Sequence, residues 1–292
     1  MESETSNPDQ HRSRNRKQNG VVEKPLLIAS DVDGTLLGTF EDLTERTISV
    51  VRRATESGVP FVLVSGRPPR WIPAVAQAAG LTGYAVCANG AVLYDIAEDR
   101  VLAVHGLLEP LLLHDVASAL DTAIPGCRLA AERIGARALD PDIRHFVIEP
   151  DYHNPWGDRE GTTTPRAEVL GHPAVKLLVS KRGMSSDEMA AAAREVLDGA
   201  VDVTFSANNG LIEVAAHGVT KATGLAEVAE RYGVAPERTI AFGDMPNDLE
   251  MLRWAGHGVA MANAHPALFA VADEVTAPNS EDGVAQVLER WF

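Results

Sequence analysis

Short apolar runs that end on polar residues constrain this chain most. "PLLIAS" (25–30), "VPFVLVSG" (59–66) and "TIAFGD" (239–244) are continuous rather than alternating. A strand of that kind has both faces covered, as in a parallel sheet packed between helices. The segments between have helical period. "TERTISVVRRATESG" repeats Ile48, Val51 and Ala54 on one face and stops at Gly58. "PRWIPAVAQAAG", "TKATGLAEVAERYG", "MPNDLEMLRWAG" and "SEDGVAQVLERW" read likewise as helices. "YAVCANGAVLYD" reads as strand, turn, strand, and "GVAMANA" as a short strand. This alternation predicts an α/β fold with a doubly wound, Rossmann-like parallel sheet.

The middle of the chain departs from that rhythm. "EPLLLHDVASALDTAI" is helical in pattern, and "CRLAAERIG", "IRHFVIEP" and "AVKLLVSKR" look like strands. "SSDEMAAAAREVLDG" reads as a helix capped by Ser186, and "VDVTFSANNGLIEVAAHG" as a strand pair. We therefore expect a second, open-faced α/β unit inserted into the first. The expected division is a disordered polar tail over 1–24, a core domain over 25–105, an inserted cap over 106–212, and the rest of the core over 213–292. The crossings are expected near His105-Gly106 and Asn209-Gly210.

Composition narrows the function. At 292 residues and 45% hydrophobic, the chain has material for a substantial core. A formal charge of −15 argues against a partner that is nucleic acid or anionic membrane, both of which need positive surface. The basic cluster Arg12, Arg14, Arg16, Lys17 sits in a polar stretch that reads as a solvated tail. No secretory signal pattern or membrane-length apolar run is visible. Cys87 and Cys127 fit no metal or redox spacing. These features lead us to expect a cytoplasmic protein.

The chemistry gathers where the apolar runs end. "LLIASDVDGTLLG" closes its strand on Asp31 and Asp33, the second run ends at Ser65-Gly66, and the third at Asp244. In parallel sheets ligands bind beyond the carboxyl ends of the strands. Acids gathered there repel unless a cation joins them. Mg²⁺, held by one or two carboxylates, waters and phosphate oxygens, suits the pattern. Asp31 and Asp244 would supply carboxylates, and Asp248 would hold a metal-bound water. Lys221 would bring a fixed charge, and Ser65 with the Gly66 N–H would donate to phosphate oxygens. Such a set fits phosphoryl transfer, in which catalysis is chiefly positioning and charge neutralisation. Asp31 is assigned as nucleophile. Asp33 is assigned as general acid and base, which requires its protonated form to be favoured in the site. Singly, each residue has a plainer reading: a turn former, a helix cap, a solvated lysine. "DVDG" alone also resembles part of a calcium loop, but the further ligands of that loop are missing. Order and spacing together favour the catalytic reading.

The same residues carry a family resemblance. "DVDGTL" (31–36), "LVSGRP" (63–68), "GVTKATGL" with Lys221, and "GDMPNDLEML" (243–252) resemble the motifs of haloacid dehalogenase-like hydrolases, in the Cof-type branch with a subclass IIB cap. The likeness runs from about Leu26 to the C-terminus and is weakest in the cap. It implies that Asp33 also binds metal through its backbone carbonyl, and that Asn247 contacts phosphate or substrate. An acid at Asp33 favours phosphate ester hydrolysis over dehalogenation. The expected activity is a Mg²⁺-dependent phosphatase for a small phosphorylated metabolite, acting through an aspartyl-phosphate. A phosphomutase and a catalytically silent binding protein are the alternatives, and monomer and homodimer stay open. Leaving-group contacts are sought in "LDPDIRHF", "DYHNPWGDRE" and "FSANNG". Surface or core roles are expected for His145, His153 and Trp156.

Overall fold

The chain as a computed structural model is described over residues 22–38, 42–153 and 161–292. Most of the tail expected over 1–24, and Trp156 with much of its loop, lie outside the described residues. Two sheets organise the rest. The strands in chain order are β1 Leu27–Ser30, β2 Phe61–Val64, β3 Tyr84–Cys87, β4 Val92–Asp95, β5 Arg100–Val104, β6 Arg128–Glu132, β7 Phe146–Ile148, β8 Thr162–Thr163, β9 Lys176–Ser180, β10 Val201–Thr204, β11 Leu211–Ala216, β12 Thr239–Gly243, β13 His257–Ala260 and β14 Glu274–Val275. The first sheet has the order β14-β13-β12-β1-β2-β3-β4-β5, and the second β10-β11-β9-β6-β7-β8.

Side-chain alternation explains why the first sheet is doubly wound. Ile28, Phe61, Leu63, Ile240 and Phe242 face one helical layer. Leu27, Ala29, Val62, Val64 and Ala241 face the other. The helices Glu45–Glu56 and Gly283–Leu288 cover the first face, and Lys221–Tyr232 and Leu249–Trp254 the second. β1, β2, β3, β12, β13 and β14 run parallel. β4 and β5 close one edge antiparallel. β5 was absent from the sequence reading, because "RVLAV" lacks the full apolarity of the interior strands and is half exposed at the edge.

The second sheet is one-sided. The helices Pro110–Ala123 and Ser186–Leu197 pack Leu113, Leu120, Met189 and Ala193 against Leu177, Val179, Ile212 and Val214. Its open face carries Leu178, Leu211 and Phe146. By strand alternation, Glu132, Lys176 and Glu213 share that face. β11 continues to Ala216, with Glu213–Ala216 paired to β10. The division drawn at 212 therefore cuts a strand, and Asn209-Gly210 is a turn within the second unit rather than a crossing. "LIEVAAHG" was split because its apolar run continues past the point where the core was expected to resume. The crossings lie side by side: a Cβ on Gly106 would come within 2.5 Å of Val219 Cγ2 and 2.7 Å of Ala216 Cβ. The helix cap also differs from expectation. Ser185, not Ser186, caps Ser186–Leu197 through a reciprocal box with Glu188. The Ser186 hydroxyl instead donates to the Ala207 carbonyl. Both cysteines are free and buried. Among the described residues no helix is long and apolar enough to cross a membrane.

Candidate active site

β1, β2 and β12 are neighbours, so their carboxyl ends deliver Asp31, Ser65 and Asp244 to one rim. The backbone leaves β1 through a turn in which Gly34 has φ +73°. A Cβ on Gly34 would fall 2.2 Å from Asp244 Oδ2. The glycine of "DVDG" thus serves both the left-handed turn and the close approach of the third acid. Lys221, the first residue of its helix, enters from the opposite side. Thr220 caps that helix by accepting from the Thr223 N–H.

Lys221 is fully buried and donates to Asp31 Oδ1 at 2.6 Å and to Asp248 Oδ1 at 2.7 Å. The other oxygen of Asp248 accepts the N–H groups of Asp244 and Met245, each at 3.1 Å. Thr35 donates to Asp244 Oδ1 at 3.0 Å. Oxygens of Asp31, Asp244 and Asp248 all lie within 4.8 Å of one another. With all three carboxyls ionised, one ammonium would leave two negative charges in a buried site. Burial pushes Asp31 up to about 7 despite the Lys221 charge. Burial, then repulsion from Asp31 and Asp248, pushes Asp244 up to about 9. Burial opposes the Lys221 ammonium, but the Asp248 and Asp31 charges outweigh it and hold its pKa above the usual lysine range. Both members of the Lys221–Asp31 pair shift upward for different reasons: burial outweighs the ammonium at Asp31, and the carboxylate charges outweigh burial at Lys221. The donor set is all oxygen and carries a charge deficit that a dication matches, which fits Mg²⁺. Asp31 and Asp244 could hold it, since both oxygens of Asp248 already accept, one from Lys221 and the other from two N–H groups.

Asp33 stands apart from this group. Its side chain is 47% exposed and forms a two-toothed ion pair with Arg67, at 2.5 and 2.8 Å. Ser65 is buried, and its Oγ accepts from the Arg67 N–H at 3.1 Å. Asn247 donates to Asn89 Oδ1 at 3.1 Å, while its own buried Oδ1 has no partner among the described residues. A cavity of about 300 Å³ runs from these residues to the open face of the second sheet. Asp31, Asp33, Ser65, Gly66 and Asn247 line one end, and Phe146, Lys176, Ser206 and Glu213 the other.

Of the segments searched for leaving-group contacts, "LDPDIRHF" contributes Phe146 and "FSANNG" contributes Ser206 and Ala207. His145 does not line the cavity; its Nε2 accepts the Asp140 N–H at 2.9 Å and its Nδ1 lies 3.2 Å from the Arg133 carbonyl, which steadies a loop. His153 does not line it either, and its N–H donates to Ser180 Oγ. The sequence reading missed Lys176, Glu213 and Asn89. Glu213 accepts from Lys176 at 2.9 Å, from Asn89 at 2.6 Å and from Ser206 at 2.7 Å. Burial opposes the Glu213 charge, but Lys176 and these hydrogen bonds hold its pKa below the usual range. The available signal was a single charge inside each of two apolar strands, "AVKLLVS" and "LIEVAA". Such charges are buried only when paired.

A sequence profile of haloacid dehalogenase-like hydrolases matches residues 28–288. The 5-amino-6-(5-phospho-D-ribitylamino)uracil phosphatase YitU of Bacillus subtilis is 34% identical over 278 residues, 92% of this chain and 98% of the relative. The pyridoxal phosphate phosphatase YbhA of Escherichia coli is 27% identical, over 90% of this chain and 97% of its own. Among solved structures, a subclass IIB sugar phosphatase of the same superfamily superposes with a TM-score of 0.75 at 22% identity, covering 91% of this chain and 98% of its own.

Proposed function

The chain belongs to the haloacid dehalogenase-like hydrolases, and from that premise we propose that it is a Mg²⁺-dependent phosphatase of small phosphorylated metabolites. The observation that carries this reading is the buried group of Asp31, Asp244, Asp248 and Lys221, two charges short of neutral when all three acids are ionised, beside Ser65 at the strand ends. The relatives named for ribitylaminouracil phosphate and pyridoxal phosphate support phosphomonoesters as the substrate class.

Asp31 attacks phosphorus and becomes an aspartyl-phosphate as the ester oxygen leaves. Asp33 gives that oxygen its proton, which requires Asp33 to exchange Arg67 for the leaving group. It then takes a proton from the water that hydrolyses the aspartyl-phosphate, releasing phosphate and restoring Asp31. Lys221 and Ser65 hold the phosphoryl oxygens, and Asn247 bounds the same end of the cavity. Asp31, Asp244 and the Asp33 carbonyl would hold Mg²⁺, which would supply charge neutralisation for the transferring group. The cap residues around Phe146 and Ser206 receive the leaving group.

The test is inorganic phosphate release from a panel of phosphorylated metabolites and from 4-nitrophenyl phosphate. We expect turnover with Mg²⁺, loss in excess chelator, and poor replacement by Ca²⁺, whose larger and looser coordination misplaces the phosphoryl group. Full turnover in chelator would refute the metal requirement. Isomerised phosphate without release would indicate a mutase, and silence across the panel a binding protein.

A further inference from the structure

One peptide connects the cap's charged pair to the phosphate-binding loop. Lys176 and Glu213 are 4% and 1% exposed and belong to strands of the second sheet. Beyond its 2.9 Å bond to Glu213, Lys176 Nζ donates to the carbonyl of Gly66, in the first domain, at 2.8 Å. A peptide unit is planar and trans, so its C=O and N–H point in opposite directions. The N–H that shares a unit with the Gly66 carbonyl is that of Arg67, and it is the one that donates to Ser65 Oγ. A hydroxyl that accepts in one direction keeps its own proton for another partner. Asn89 secures the same turn: its N–H donates to the Ser65 carbonyl at 3.0 Å, and its side chain bonds both Glu213 and Asn247. Turns at three core strand ends are thus tied to one cap carboxylate.

We propose that Lys176 is a positioning residue: with the cap docked, it fixes the Gly66–Arg67 peptide, and that peptide directs the Ser65 proton at the transferring phosphoryl group. The proposal rests on the phosphatase reading and on the part Ser65 plays in it. Glu213 holds the Lys176 ammonium in place through its 2.9 Å bond. When the cap leaves, the Gly66 carbonyl loses its partner and Ser65 loses its orientation. Hydrolysis is then tied to cap docking even for a substrate whose leaving group never reaches the cap.

The experiment is a double-mutant cycle in the full chain, with 4-nitrophenyl phosphate and Mg²⁺, comparing wild type, Lys176→Met, Ser65→Ala and the double variant. Misplacing a phosphate-binding group is worth about a hundredfold. We expect Lys176→Met to lower kcat by that order with little change in KM. The double variant should be no slower than Ser65→Ala alone, because both changes remove one interaction. Losses that multiply, a loss confined to KM, or a wild-type rate in Lys176→Met would each overturn the positioning role. Lys176→Met strands a buried carboxylate, so Lys176→Met/Glu213→Gln carries the same cycle, read the same way, if the single variant does not fold. A wild type that releases phosphate from no phosphomonoester would overturn the phosphatase reading itself. An active wild type with multiplying losses would overturn the positioning role alone.

Discussion

Lys221 and Lys176 are both buried and both bonded to carboxylates, yet their surroundings differ in charge. Lys221 serves two acids in a group of three, all supplied by the first domain. Lys176 serves one acid and a carbonyl across the domain boundary. The first group is short of positive charge, and Asp31 and Asp244 in it are pushed upward, chiefly by burial. The second is balanced, and its acid is held low. A buried ion pair that balances works as a clasp. One that does not is open to a further cation, which on the proposed function would be the metal.

The most severe way to break this comparison is at Asp31. Asp31→Asn removes the nucleophile, and phosphate release should fall on the order of 10⁴-fold or more. Because the same change relieves an overcrowded acid group, the metal-free melting temperature should not fall. A large loss of stability in the absence of metal would show that the group is balanced after all. Lys176→Met should behave in the opposite sense. It leaves Glu213 buried without its cation, and removal of one partner of a buried pair costs about 3–5 kcal/mol. Denaturant unfolding of the single variant against Lys176→Met/Glu213→Gln should recover a large part of that loss.

The smallest effect is in pH dependence, and it sharpens the contrast by sign. Asp31 and Asp244 stand above the ordinary aspartate value, at about 7 and about 9. Their contribution to stability is full below the ordinary aspartate range and is lost as pH rises through those two values. Glu213 is shifted downward. Its contribution is full above the ordinary glutamate range and is lost as pH falls through its lowered value. In chelator, the melting temperature should therefore decline by several degrees between about pH 6 and 9. Mg²⁺ should flatten that decline, and Asp31→Asn should reduce it. Lys176→Met/Glu213→Gln should keep it. A decline unaffected by Mg²⁺ would separate the acids from metal binding.

The two groups also differ in how far the sequence discloses them. Asp31, Ser65, Asp244 and Asp248 follow apolar runs whose ends are visible in the sequence, and a parallel sheet brings such ends together whatever the details of packing. Lys221 is readable as a charge at the first position of a well-marked helix. Lys176 and Glu213 lie inside their strands, 37 positions apart. Their meeting depends on antiparallel register, and their contact with Gly66 depends on how one domain docks on the other. Neither quantity is encoded locally. The same limit explains the edge strand β5 and the boundary at Ala216, where local apolarity does not reveal which sheet a strand joins. The helix cap expected at Ser186 lies one position earlier, at Ser185, where the capping box with Glu188 fixes it.

The central claim is that the crowded acid group makes Asp31 the residue that carries the phosphoryl group, with Asp33 moving the proton. Asp33→Asn keeps the nucleophile and removes the proton carrier, an effect of about 10²–10⁴-fold on assisted steps. With 4-nitrophenyl phosphate the leaving group needs little protonation, so the first step proceeds and the second slows more. Rapid quenching of Asp33→Asn with Mg²⁺ and this substrate, followed by mass spectrometry of the peptide that contains "SDVDGTLL", locates the phosphate directly. The account predicts an accumulating phosphoryl group on Asp31. Normal multiple turnover by Asp33→Asn, or phosphate found on Asp33 when Asp31→Asn is treated in the same way, would contradict it.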